Sequence, residues 1–152
     1  MKKAVALFAY ALLPVIAVYG CAGDGSRLDE MFDVDPCAEL QQPTLAEIQM
    51  NIFDQKCGIE PCHTPTGIGP MPLNATEISF ASLVDIDSQE IPELKRVEPE
   101  NPNDSYLVWK ILGEDPEGEG AIVGAQMPFG GQMLPPEEID DITQWILNGA
   151  CP

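Results

Sequence analysis

Histidine is all but missing from this chain: among its 152 residues, His63 stands alone. That scarcity removes several chemistries. Cysteine-protease catalysis fails because no second histidine exists to activate a thiolate. A structural zinc site takes about four ligands and would have to recruit distant cysteines or carboxylates. Basic residues are also scarce. Seven Lys and Arg face 25 Asp and Glu, for a net charge of −18, so the chain lacks the basic footprint that nucleic acid needs. No stretch shows the apolar–polar alternation of a half-buried strand. A long apolar run is lacking too. Ala4 to Tyr19, broken by Pro14, is too short to span a bilayer comfortably.

That short run has the shape of an export signal, with Lys2 and Lys3 as its basic start. It ends in Val18-Tyr19-Gly20-Cys21, which resembles a bacterial lipobox. There, small or apolar residues precede a cysteine that is lipidated and becomes the new N-terminus; Tyr19 is an unusual member. Residues 1–20 are therefore expected to be a lipoprotein-type signal peptide, Cys21 the lipidation site, 21–43 an acidic tether and 44–152 the folded domain. The expected location is the cell envelope or periplasm, with the protein held at a membrane by its lipid. Lys2 and Lys3 leave with the signal, so five basic residues remain. The resulting acidity serves solubility, or steering toward a basic partner surface.

Export places the cysteines in an oxidising compartment. Cys21 is assigned to the lipid and Cys57 and Cys62 lie close together, which leaves Cys37 and Cys151 near the two ends of the folded region. A bond between those two would close a loop of 114 residues. The chain-entropy model assigns such a loop about 4–5 kcal/mol before any strain. Connectivities that place Cys57 or Cys62 in structural disulfides stay open on sequence alone.

Helix signals punctuate the domain. Thr44 and Glu47 form a capping-box pair, and Leu45, Ile48, Ile52 and Phe53 recur at helical spacing, which predicts a helix over 45–55 that runs into Cys57. Prolines and glycines make 64–75 a loop. A short helix is expected over 80–84 with Ser79 as its cap. Asn101-Pro102-Asn103-Asp104 predicts a helix start with Asn101 as N-cap, carrying Tyr106, Leu107, Trp109 and Ile111 and stopped by Gly113. Residues 114–134 are glycine-rich and unstructured by pattern, a length of loop that is usually functional or disordered. The last helix is expected over 136–147, with Pro136 at its start and Ile139, Ile142, Trp145 and Ile146 on its apolar face. The expected fold class is all-α: three to five short helices with long irregular loops. So small a core often needs a disulfide, a metal or another prosthetic group.

Chemistry concentrates in Cys57-Gly58-Ile59-Glu60-Pro61-Cys62-His63. A cysteine pair ending in Cys-His is how haem is attached covalently, the thiols adding across the vinyl groups and the imidazole ligating the iron. The usual gap between the thiols is two residues, and here it is four. A disulfide loop with His63 at the surface also accounts for the cysteines, but leaves the position of the sole histidine a coincidence. If His63 takes one face of a haem, the other face is left to a methionine, another group or an open position. Met31 lies in the tether, Met50 on the preceding helix, and Met71 too close in sequence to reach across a macrocycle. Met127 and Met133 lie in the glycine-rich loop. Met127, beside Pro128 and the flexible Gly130-Gly131, is the candidate distal ligand, with Met133 in reserve; both could be gap-filling core residues. Phe129, Tyr106, Trp109 and Leu112 are candidates to line a haem pocket.

The order of capped helix, Cys-x4-Cys-His, Pro/Gly loop, helix, Met-Pro loop and C-terminal helix resembles a class I c-type cytochrome domain. More narrowly, it is similar to the cytochrome c-like domains of exported bacterial proteins. Ile52-Phe53, Lys56-Cys57, Cys62-His63, Asn101 to Leu107, Met127 to Gly131 and Glu137 to Ala150 carry the likeness, which covers about residues 44–150. The resemblance implies a cytochrome c-like fold around one covalent haem c on Cys57 and Cys62, with His63 the proximal and Met127 the distal iron ligand. It also implies that the first and last helices pack crosswise, which would bring Cys37 and Cys151 together. The function it implies is that of an electron carrier, not an enzyme, exchanging electrons with redox partner proteins of the cell envelope. Two other readings stand beside it: a non-redox, disulfide-stapled envelope lipoprotein that binds another protein, and a haem protein with an open distal site.

Overall fold

The computed structural model describes residues 35–152 apart from 36, 40 and 119. The signal segment 1–20, Cys21, Met31 and most of the tether lie outside the described residues. Regular structure is helical. Helix α1, Leu45–Ile48, runs directly into a π-helix, π1, over Gln49–Cys57; α2 spans Thr76–Leu83, α3 Tyr106–Leu112 and α4 Pro136–Leu147. Extended pairing among the described residues is confined to isolated bridges such as Val84 with Val97. The protein is thus mostly helical, with long irregular connections.

Helix α1 starts where its side chains satisfy the first free amides. Glu47 N donates to Thr44 Oγ1 at 3.2 Å, and Thr44 N donates to Glu47 Oε2 at 2.9 Å, so two otherwise unpartnered donors are capped reciprocally. The apolar positions 45, 48, 52 and 53 are all buried. The widening into π1 is not visible in the sequence. Its last turn closes through Gly58 N donating to Phe53 O at 2.7 Å, five residues back, which sets the direction in which the chain leaves Cys57.

Two helix starts differ from the sequence expectation, each for a physical reason. Helix α2 begins at Thr76, before the expected Phe80, and Ser79 is no cap. Its buried hydroxyl instead donates to Gln49 Oε1 at 2.6 Å. Asn101 is not the N-cap of α3 either. Asn101 and Asp104 bond to each other at 2.5 Å in a turn, and Ser105 N donates back to Pro102 O at 3.2 Å. Helix α3 begins only at Tyr106, because the amides of Tyr106 and Leu107 are taken by the carbonyls of Lys95 and Arg96 at 2.9 Å each. A backbone segment distant in sequence does the work of a side-chain cap. Gly113 ends the helix as expected from its type, at φ +89°.

The core joins the ends of the domain. Ile48, Ile52 and Phe53 share one buried cluster with Ile142, Trp145 and Ile146 of α4. Cys37 and Cys151 form a disulfide with Cα atoms 5.5 Å apart. The C-terminal residues are stitched further: Trp145 Nε1 donates to Cys151 O at 2.8 Å and Asn148 Nδ2 to Gln42 O at 3.0 Å.

Candidate functional site

Cys57 ends π1, and its helix is tied to the start of α4 by Lys56, whose Nζ lies 2.5 Å from Glu138 Oε2. From there the chain folds back on itself. Cys62 N donates to Ile59 O at 2.6 Å, forming a turn, and His63 N donates to Cys57 O at 3.0 Å. The turn over residues 59–62 absorbs the longer gap between the thiols and still returns His63 to the carbonyl of Cys57. The following loop is fastened to the same segment, with Ile68 N on Pro61 O, Gly69 N on Cys62 O and Leu73 N on His63 O.

The His63 ring has one defined orientation. Its Nδ1 lies 3.0 Å from the carbonyl oxygen of Met71. A carbonyl only accepts, so Nδ1 carries the proton and the Nε2 lone pair is the side of the ring available to a metal. Gly69 packs against the ring, where a Cβ would lie 2.5 Å from Nδ1. The carbonyl arm is itself anchored: Gln49, buried in π1, donates to Leu73 O at 3.0 Å, and Leu73 leads back to Met71.

Cys57 and Cys62 are both free and half-buried. Burial pushes the Cys57 thiol up to about 12, with the neighbouring Cys62 adding to the rise, because a thiolate there would lose water and face a second sulfur of the same sign. Burial therefore favours the protonated, neutral thiol at Cys57. Among the described residues, no group of three or more His, Cys, Asp and Glu side chains could hold a metal ion. A His/Met-ligated haem asks for no such group, since the macrocycle supplies the other four iron ligands.

The other candidate loop is more ordered than its sequence predicts. Met127 N donates to Lys110 O and Gln126 Nε2 to Ile111 O, each at 2.8 Å, so the segment lies along the C-terminal end of α3. Met127 is half-buried, whereas Met133 is 52% exposed. Of the candidate pocket residues, Tyr106 is buried, Trp109 is half-buried, and Phe129 and Leu112 are exposed. Apolar side chains stand uncovered on both loops: Ile59 and Ile68 beside the cysteines, Phe129 and Met133 after Met127. Lys110, Glu90 and Gln49, which organise the two loops from behind, carry no motif signal. The burial of Gln49 and Lys110 reveals those two, and the bonds that Lys110 and Tyr106 make to the exposed Glu90 reveal the third.

Comparison with protein-family models, with curated proteins and with solved structures finds no match to this chain.

Proposed function

We propose that this chain is an exported, lipid-anchored monohaem c-type cytochrome that carries electrons between envelope proteins. The observation that carries the proposal is the Nδ1–H bond from His63 to Met71 O. It fixes the tautomer and ring orientation that an axial ligand requires, immediately beside two free thiols. Several features support the residues' fit to haem c. Cys57 and Cys62 stay unpaired although the chain forms a disulfide elsewhere. The thiols and His63 sit on one folded-back segment. Apolar side chains on both loops stand uncovered, as surfaces awaiting an apolar partner do.

The roles follow by residue. Each thiol, of Cys57 and Cys62, would add across a vinyl group, its sulfur forming the thioether and its proton passing to the second vinyl carbon. His63 Nε2 would be the proximal ligand, held against rotation by Met71 O and Gly69. Met127 would be the distal ligand; its half-burial and its amide bond to α3 favour it over the exposed Met133. When bound, the haem supplies a one-electron ferrous–ferric couple, whose potential Met/His ligation would raise. Five basic against 25 acidic residues in the exported chain suit a redox partner with a basic docking surface. The Cys37–Cys151 bond by itself suits a stapled binding module equally well; the free thiols beside an oriented His63 favour the cytochrome.

The test is expression alongside a cytochrome c maturation system, with spectra of single variants. Met127→Ala is expected to lose methionine ligation, and Met133→Ala to keep it. The opposite pattern moves the ligand to Met133, and persistent carbon monoxide binding by the reduced wild type favours an open distal site.

A further inference from the structure

Behind the Met127 segment lies a side-chain network that haem attachment does not itself require. Lys110 is buried, with its Nζ 3.1 Å from Glu90 Oε2 and donating to Val123 O at 2.8 Å. The same Glu90 oxygen accepts a bond from Tyr106 OH at 2.6 Å, and Tyr106 OH accepts one from Val123 N at 3.0 Å. Val123 is thus gripped at both backbone polar groups by two side chains of α3. Gly124 passes directly over the ion pair, where a Cβ would lie 3.9 Å from both Glu90 Oε1 and Lys110 Nζ. Three residues on, Met127 N meets the carbonyl of Lys110 itself. Burial pushes the Tyr106 phenol up to about 12, with its bond to Glu90 adding to the rise, so it remains protonated as a donor.

Taking an ammonium out of water is costly and is offset only by good pairing. Here that charge is spent on a loop, joining Glu90, α3 and 123–127 at one point. A solvated loop of this composition would not need it.

We infer that Lys110, with Tyr106 and Glu90, is a positioning clamp that fixes Met127 for distal ligation. Its consequence at iron rests on the cytochrome function proposed above; the clamp itself belongs to the chain and is measurable without haem. Met127 would be the residue in contact with the iron, whereas Lys110 would act only by holding the segment that presents it.

The experiment compares wild type, Lys110→Met and Tyr106→Phe as full chains, haem-free and after maturation. In the haem-free chains, amide exchange at Val123 and Met127 should quicken roughly tenfold or more in Lys110→Met, as expected for a lost charge-assisted hydrogen bond; Tyr106→Phe, which removes the acceptor of the Val123 amide, should quicken Val123 more than Met127, while Ile142 is unchanged in both. In the matured protein, Lys110→Met should keep its covalent haem, lose methionine ligation in part, show a lower potential and bind carbon monoxide when reduced. Unchanged exchange at both amides, or full methionine ligation in haem-bearing Lys110→Met, overturns the inference. A wild type that retains no haem defeats the cytochrome reading instead, and amide exchange still decides the clamp. Should Lys110→Met fail to fold, Tyr106→Phe, which removes a single oxygen, carries both readouts.

Discussion

Lys56 and Glu138 lie 82 residues apart in sequence and bond through both carboxylate oxygens, at 2.6 and 2.5 Å. The pair fastens the residue before Cys57 to the first turn of α4, into which the Met127–Leu134 segment runs. The pair thus ties the element that carries Cys57 to the helix that follows the Met127 segment.

Breaking that link should cost stability that a double-mutant cycle can isolate. The side chains are 33% and 21% exposed, so the coupling is expected near the upper end for partly exposed pairs, about 1 kcal/mol, shrinking with added salt. Urea denaturation of Lys56→Met, Glu138→Gln and the double variant measures it. A coupling indistinguishable from zero would mean that the two elements are held by apolar packing alone.

Gly69 offers a sharper probe of His63. A Cβ there would lie 2.5 Å from Nδ1 and 2.7 Å from Cε1, so Gly69→Ala must displace the ring or the loop. Overpacking of this kind costs about 1–3 kcal/mol. The expected result is lower stability together with loss of the slowly exchanging Nδ1 proton in the NMR spectrum of the haem-free chain. Gly131→Ala, where a Cβ meets its nearest neighbour only at 3.5 Å, should leave both unchanged. Persistence of the Nδ1 signal in Gly69→Ala would show that the ring is oriented by something other than Met71 O.

The Cys37–Cys151 bond closes 114 residues. Its removal in a Cys37→Ser, Cys151→Ser chain should cost about 2–5 kcal/mol by releasing the unfolded chain. Reductant should have the same effect on wild type and none on the double variant. Equal denaturation midpoints for the two chains would contradict this.

Cys57 predicts a pH dependence for the haem-free chain. Its thiol is raised from 9.0 to about 12, first by burial. Folding therefore favours the protonated form: the contribution to stability is whole below pH 9.0 and is lost as the pH climbs toward about 12. In a Cys62→Ser background at pH 9.0, alkylation of Cys57 should be much slower folded than unfolded. Equal rates would place the thiol in water.

What was legible in the sequence was mainly what depends on near neighbours. The Thr44–Glu47 box, Pro136 at the head of α4 and the arrest of α3 at Gly113 each rest on residues a few positions apart. The Asn101–Asp104 pattern misled because its groups satisfy one another in a turn, while α3 takes its first bonds from Lys95 and Arg96. Ser79 misled because the partner of its hydroxyl is Gln49, 30 positions away. Residues 114–134 carry no periodicity, so their order against α3 was invisible; it comes from Tyr106, Lys110 and Glu90. At the site, the Cys57–His63 stretch and Met127 stood out by residue type and spacing. The carbonyl that orients His63 did not, since any residue of the 64–72 loop has one.

The most direct measurement is on the polypeptide matured in a host with cytochrome c maturation genes, then denatured and extracted. Haem is expected to stay with the chain, one per polypeptide, to give a pyridine haemochrome spectrum of thioether-linked haem, and to be lost in the Cys57→Ser, Cys62→Ser variant. A denatured wild-type chain that carries no haem would contradict the proposed function.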